Sequence, residues 1–262
     1  MHGPHSHPKE DLTLHTFSAE ASAGLTGPDW LRRRRAAGHE AFSASSLPSE
    51  SEEVWRYTPI DHLDLEEFSP AEGDAAAPPE ANDLLSSLGA EIGSAAATVL
   101  VHNGRTQAVT ISGGGAPFSL GGADDVEAAT DMLGSVQQGG DALVRLNDAF
   151  APDPVFLDVR AGTRVSGPVL IVHWCDAGAA VFPRLCVRAG EDSSISVIEV
   201  FAGASGADCA ALDSDSGSPG APSADPSVSH IDGSTRWSTP SSSRMLPPTR
   251  LSPYGRSGSR WS

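Results

Sequence analysis

Cysteine is the residue type with the most distinctive chemistry in this sequence. The chain holds three cysteines, Cys175, Cys186 and Cys209. Cys175 and Cys186 lie on or beside neighbouring predicted strands, so stacking of those strands would bring them near each other. Iron–sulfur clusters usually need several thiolates in close spacing, which these two lack. Cysteine is also a common small buried residue. We therefore favour a structural role and keep a cluster-related role as the alternative.

Histidine offers two candidate metal-binding positions of different kinds. His173 lies within a predicted strand, where a single histidine is more often a hydrogen-bonded structural residue than a metal ligand. His2, His5 and His7 belong to the run "HGPHSH", which can bind a divalent metal weakly through imidazole. A flexible arm makes such binding incidental, so we assign no metal ligand.

Signatures of enzymatic sites are missing from the sequence. The glycine-rich runs "SGGGAP" and "LGG", between residues 112 and 122, lack the Lys and Ser/Thr of a phosphate-binding loop and the context of a dinucleotide site, so they predict turns. There is no G-x-S-x-G nucleophile motif, and no pair of acids suggests a general acid and base. We predict a non-enzymatic protein and identify no catalytic or cofactor-binding residue.

The charge balance of the chain restricts its partners. The 262 residues carry a net charge of −17, which argues against a nucleic-acid groove and an anionic membrane surface. No apolar run approaches the length of a membrane span, and the N-terminus does not resemble a signal peptide. An odd number of cysteines without metal-site spacing fits a reduced protein, so we predict a cytoplasmic location.

The first 150 residues predict short helices and one hairpin. Residues 1–27 indicate a flexible, His-rich arm, and a helix begins at Pro28 and Asp29, with one face lined by Trp30, Leu31, Ala37 and Phe42. The arginines Arg32 to Arg35 go round this helix, which favours a solvated surface over a docking patch for an acidic partner. A Pro/Ala-rich linker holds a short helix at 82–90. "ATVLVHNG" and "RTQAVTIS" form a hairpin, and helices follow in "DDVEAATDMLGSV" and "DALVRLNDAF".

Residues 151–203 change to the two-residue period of β-strands. Val155, Leu157 and Val159 alternate with Phe156 and Asp158, and three further strands follow at a spacing of about 14 residues. The third runs through "AAVFPRLCVRAGEDSS", with Val181, Leu185 and Val187 facing inward. Evenly spaced strands without intervening helices are typical of a sandwich, a barrel or a stacked β-solenoid, and spacing alone does not choose among them.

Residues 204–262 differ from everything before them. The alternation of apolar and polar residues stops, and serine becomes abundant. From Arg236 onward the segment contains arginines but no Asp or Glu. Such a composition predicts disorder. A shifted reading frame is the interpretation that we favour, because it explains why the strand pattern stops abruptly and the sign of the charge reverses.

Three stretches, in order, resemble the SufB/SufD family of iron–sulfur cluster assembly scaffolds. "EEVWRYTPIDHL" resembles an "EEWRYT" stretch near the family's N-terminus, after a helix that "DWLRRRRAAGHEAF" fits. "LNDAFAPDPVFLDVRAGTRVSGPVLIVHW" and "AAVFPRLCVRAGEDSSISVIEVFAG" resemble the beginning of the family's core domain. The similarity covers roughly residues 28–203, and the extended N-terminal region favours the SufD branch.

This resemblance implies a mainly β protein. An N-terminal α/β helical region at 28–150 would precede the first rungs of a right-handed parallel β-helix at 151–203, with a disordered or frame-shifted tail at 204–262. The chain would act with SufB and the ATPase SufC in a complex that handles the iron–sulfur cluster. Trp55, Tyr57 and Phe68 would then pack within the helical region, as large rings also favour on physical grounds.

The sequence departs from the family where its functional regions lie. In the family, later strands form the SufB–SufD interface and a C-terminal helical region docks SufC, so no functional residue can be transferred. We therefore predict a truncated or frame-shifted family member. The alternatives are a non-functional gene product or a β-solenoid module that binds a saccharide or small molecule. The aromatic candidates for such a module are Phe156, Trp174, Phe182 and Phe201.

Overall fold

The computed structural model describes most of the chain up to Gly203 and three short segments after it. The described residues are 15–57, 60–71, 73–113, 115–135, 140–203, 210–213, 218–220 and 227–232. Helix and strand are present in about equal amounts, so the fold class is mixed α/β rather than mainly β. Among the described helices, none combines the length and apolar composition needed to cross a lipid bilayer.

Two helices form the N-terminal part, α1 (Ala19–Gly24) and α2 (Asp29–Ser43). Ser18 caps α1 by accepting a hydrogen bond from the Ala21 amide. Pro28 occupies the N-cap position of α2, and the Asp29 carboxylate pairs with Arg32 instead of capping the helix as expected. Leu31 and Phe42 are buried as expected, whereas Ala37 is exposed. The packed face of α2 instead includes Arg35 and Gly38.

The next elements alternate between short helices and strands. Two single 3-10 turns, Ile60–His62 and Leu65–Glu67, precede β1 (Ser69–Pro70) and α3 (Pro79–Ile92). β2 (Ala97–His102) and β3 (Arg105–Ile111) form the predicted hairpin, since Asn103 and Gly104 both have the positive φ that a tight hairpin turn requires. β4 (Phe118–Gly121) follows. The helix expected from 124 to 136 is reduced to α4 (Ala129–Met132), and α5 (Ala142–Phe150) lies where predicted.

The strands after α5 keep the expected rhythm with one correction. They are β5 (Val155–Val159), β6 (Val169–Cys175), β7 (Ala179–Val181), β8 (Leu185–Ala189) and β9 (Ser194–Gly203). The single third strand predicted through Val181 and Leu185 is wrong, because β7 and β8 belong to different sheets. Pro183 separates them, and proline lacks the amide hydrogen that a continuous strand would need.

Three short strands lie within the region predicted to be disordered or frame-shifted. They are β10 (Ala210–Asp213), β11 (Ser218–Gly220) and β12 (Ser227–Asp232). β10 continues a sheet by pairing in parallel with β7, whereas β11 and β12 are antiparallel to β10 and β9. The rest of the disorder prediction for 204–262 lies outside the described residues.

The described strands form three open sheets that mix parallel and antiparallel pairs. Their orders are β1-β7-β10-β11, β12-β9-β6-β2-β3 and β4-β5-β8, and among the described strands none closes into a barrel. Leu157 lies opposite Val187, Ile171 opposite Glu199 and Ala180 opposite Ala210, so each partner is 28 to 30 positions further along the chain. The chain therefore visits the three sheets twice in the same order.

The core is divided by these sheets. Val155, Leu157 and Val159 of β5 pack with inward residues of β2, β6 and β9, as the alternation predicted. The opposite face of the β2–β6–β9 sheet packs against α3. Phe156, on the other side of β5, packs with Leu31 of α2. Alternate residues of one strand thus serve two separate cores, one between the sheets and one beneath the helices.

Candidate functional site

A histidine–glutamate pair lies at one end of the apolar core between the sheets. His173 of β6 follows Ile171 on the inward face, and Glu199 of β9 follows Val197 in the same way. Nε2 of His173 is 2.9 Å from Oε1 of Glu199, and the histidine side chain is only 7% exposed. Hydrogen bonding to a carboxylate offsets part of the cost of placing two polar groups in this interior.

An aromatic ring fixes the orientation of this histidine. Phe201 lies opposite His173 in the parallel register, and the two rings stack with centroids 4.5 Å apart and planes 9° from parallel. Since Glu199 can only accept, Nε2 of His173 donates the hydrogen bond. The contacts are those of a hydrogen-bonded structural histidine, the role that the sequence favoured. Within the described residues, no three His, Cys, Asp or Glu side chains are grouped so that they can hold a metal ion.

A second histidine ties the hairpin to the turn between β6 and β7. His102 is buried, with Nδ1 3.1 Å from the Ala75 carbonyl oxygen and Nε2 3.0 Å from Oδ2 of Asp176. Asn103 donates to the same carboxylate oxygen at 2.8 Å and accepts from the Asp176 amide at 3.0 Å. Sequence reasoning missed this network, because nothing in either turn motif shows that the two turns meet.

The environment of Asp176 makes stability depend on pH. Partial burial would raise the pKa of its carboxyl, but hydrogen bonds from Asn103 and His102 outweigh burial, and the pKa lies below its ordinary value. A carboxyl whose pKa is lower in the folded state stabilises the fold above its unfolded pKa of about 4. That contribution is lost as the pH falls through the folded-state pKa.

We expect Asp176→Asn to weaken the acid dependence of unfolding. The variant should be less stable than the parent at pH 7, and the difference should shrink as the pH falls below about 4, because the parent carboxylate is then being protonated. Urea unfolding at pH 7, 5, 4 and 3 measures this. Asp83→Asn, which changes an exposed aspartate of α3, is the matched control. A constant difference between parent and Asp176→Asn at all four pH values would contradict the assignment.

The candidate cysteines are not brought together as a cluster site. Cys175 ends β6 and packs with Val181, whereas Cys186 is a buried thiol on β8 that packs beneath α2 with Leu31. The two residues lie on strands of different sheets. Cys209 and the histidines His2, His5 and His7 lie outside the described residues.

The four consecutive arginines have four different environments. Arg32 pairs with Asp29, Arg33 is exposed, Arg34 lies beside Asp148, and Arg35 is buried. The run does not form the continuous solvated surface that we favoured, nor a single docking patch. Its spacing of one residue places each side chain 100° further round the helix, so each guanidinium contacts a different part of the protein.

The aromatic cluster near the N-terminus is only partly packed. Trp55 and Phe68 are half-buried against the core of the N-terminal helices, which agrees with the predicted packing role. Tyr57 does not, since it is 89% exposed on a turn. Val54 beside it is also exposed.

The remaining candidates are accounted for by packing and turns. Phe156 and Phe182 are buried, and Trp174 and Phe201 pack against core clusters, so these rings do not form the exposed aromatic surface that a saccharide-binding module needs. Gly113 and Gly115 of "SGGGAP" lie in bends as predicted, whereas Leu120 and Gly121 of "LGG" belong to β4 and Gly122 follows the strand. The amide of Gly122 donates to Asp125, and that of Ala123 donates to the half-buried Asp153.

Comparison with known proteins gives no assignment. No protein-family model matches the chain, and no curated protein matches it.

Proposed function

We propose that this chain is a scaffold protein built on stacked parallel coils of β-strand. More specifically, we propose a SufD-like component of iron–sulfur cluster assembly that acts with SufB and the ATPase SufC in the cytosol. In this proposal β5 to β7 are the first coil of a right-handed parallel β-helix, and β8 and β9 begin the second. The chain performs no reaction itself, and the iron–sulfur cluster is handled by the complex.

The observation that supports the proposal most strongly is the repeated visit to the same sheets. β5 and β6 are followed in the same order by β8 and β9, and both pairs are parallel. A repeat of 28 to 30 residues, with no helix between the strands from Val155 to Gly203, is the arrangement of a solenoid whose repeats contact only their neighbours. A β-sandwich would use antiparallel pairs instead.

Interactions between the two coils also fit a stacked scaffold. Arg188 of β8 binds Asp158 of β5 through two hydrogen bonds, Nε to Oδ1 at 2.7 Å and Nη2 to Oδ2 at 2.6 Å. His173 binds Glu199 and stacks on Phe201 between the corresponding strands β6 and β9. One contact is on the surface and the other is inside, and both require the parallel register that the proposal uses.

The N-terminal region supports the same proposal. α2 covers the outer face of β5, and α3 covers the outer face of β2, β6 and β9. This places a helical region, with the Trp55-containing stretch, before the stacked strands, as in the family that the sequence resembles. The rings of Trp55 and Phe68 then stabilise this region and have no catalytic role.

Co-purification tests the proposed partners. The resemblance to the family ends near Gly203, before the regions that bind SufC and form the SufB interface. We therefore expect the tagged chain, co-expressed with the cognate SufB and SufC, to retain no SufC. A chain in which the strand pattern continues in another frame after residue 203 should retain both proteins. If the present chain retained SufC at the affinity of a full-length SufD, the frame-shift interpretation would be refuted. If the continued chain retained neither SufB nor SufC, the proposed function would be refuted.

A further inference from the structure

Three guanidinium groups lie around one carboxylate where α2, α5 and the start of β8 meet. Arg184 hydrogen-bonds through Nη1 to Oδ1 of Asp148, and both side chains are nearly buried. Nη2 of Arg34 is 3.7 Å from the same oxygen, and Nη1 of Arg145 is 3.9 Å from the other. Arg34 and Arg145 therefore lie beside a carboxylate that already hydrogen-bonds to Arg184, in a protein whose net charge is −17.

Arg34 and Arg145 have hydrogen-bonding capacity that Asp148 does not use. Their distances to its oxygens exceed the roughly 3.2 Å limit of a good hydrogen bond. Within the part of the chain that the structure describes, neither guanidinium hydrogen-bonds to an acceptor, and Nε of Arg34 is buried without a partner. Each guanidinium has five N–H donors in a planar fork.

Arg34 lies close against Gly134. Its Nη2 atom occupies the space that a Cβ on this glycine would need. About a third of the Arg34 and Arg145 side chains is exposed, so a ligand from solvent can reach both. Both groups lie within 4 Å of one carboxylate and are therefore within reach of one small anion.

We propose that Arg34 and Arg145 form a binding site for a small oxyanion, a phosphate or a carboxylate group, beside the Arg184–Asp148 pair. Planar guanidinium forks match the paired oxygens of both groups, and binding would satisfy the donors that Asp148 leaves unused. This site is independent of the stacked strands and of the proposed partners of the chain.

Calorimetric titration of the full chain tests this site with two probes, inorganic phosphate and succinate, at constant ionic strength maintained with chloride. We expect saturable binding of at least one probe, with a dissociation constant on the order of 1 mM. Arg34→Gln and Arg145→Gln should each weaken it at least about tenfold, the value of one charge-assisted contact. Arg33→Gln, an exposed arginine on the same helix, should leave it unchanged.

The two probes distinguish the sources of the oxyanion. Saturation by phosphate alone assigns a phosphorylated ligand, and saturation by succinate alone assigns a carboxylate ligand. Urea unfolding of each variant confirms that it is folded, and Arg34 and Arg145 provide two independent tests of one site. The proposal is overturned if neither probe saturates, or if Arg33→Gln weakens binding as much as the other two substitutions do.

Discussion

Replacing Arg35 with alanine is expected to destabilise the protein by about 3 to 5 kcal/mol. The side chain is 1% exposed, and it donates to four backbone carbonyls. Nε donates to Ala151, Nη1 to Leu25, and Nη2 to Thr26 and Pro152. Alanine would leave these buried acceptors without donors and would open a cavity between α2 and the segment that follows α5. The change in the free energy of unfolding is measured with urea.

The charge state of Arg35 matters for this result. Burial, with a smaller effect of Arg105, lowers the pKa of the guanidinium to about 10, so the group is still a cation at neutral pH. Arg35→Lys keeps the charge but presents its donors from a single nitrogen, so we expect an intermediate loss of stability. Arg33→Ala, at an exposed position of the same helix, should change stability by less than about 0.5 kcal/mol. Equal effects of Arg33→Ala and Arg35→Ala would show that the hydrogen bonds of Arg35 do not stabilise the fold.

The second large effect is expected at Gly38, where α2 crosses α5. A Cβ at this position would lie 2.8 Å from the backbone carbonyl carbon of Asp148 and 2.9 Å from the amide nitrogen of Ala149. These are backbone atoms, so the two helices must move apart to admit a methyl group. We expect Gly38→Ala to destabilise the protein by about 1 to 3 kcal/mol, and Gly38→Val to cost more.

The same substitution in another helix provides the control. Gly89 lies within α3, and a Cβ there would have no heavy atom within 4 Å. Gly89→Ala should stabilise the protein by about 0.5 to 1 kcal/mol, because alanine loses less backbone entropy than glycine in a helix. Opposite signs for the two substitutions are the expected result, measured by thermal unfolding of both variants. If Gly38→Ala also stabilised the protein, the close contact between α2 and α5 would be wrong.

Local sequence patterns predicted the strands and turns that neighbouring residues determine. The alternation of Val155, Leu157 and Val159 places one face of β5 in the core, and Asn103–Gly104 determines the hairpin turn. The split between β7 and β8 was missed because alternation continues across Pro183, although the proline interrupts the strand. Periodicity reports which side chains are apolar, but it does not report where the backbone turns to another sheet.

The contacts of charged residues could not be predicted in the same way. The buried position of Arg35 depends on backbone carbonyls from two distant segments. One, at Leu25, precedes α2, and another, at Pro152, follows α5. His173 and Glu199 are 26 residues apart in the chain, and their pairing depends on the parallel register of β6 and β9. Neither arrangement has a sequence signature, because both are set by how distant segments pack.

The central claim is that the stacked strands are the beginning of a SufD-like scaffold. Sequencing the coding DNA around codons 200–210, with translation of all three frames beyond it, tests this claim most directly. The account predicts that another frame continues with alternating Val, Leu and Ile strands at the same spacing and then encodes a closing helical region. If no frame does, the frame-shift interpretation is contradicted, and the resemblance to a complete scaffold loses its support.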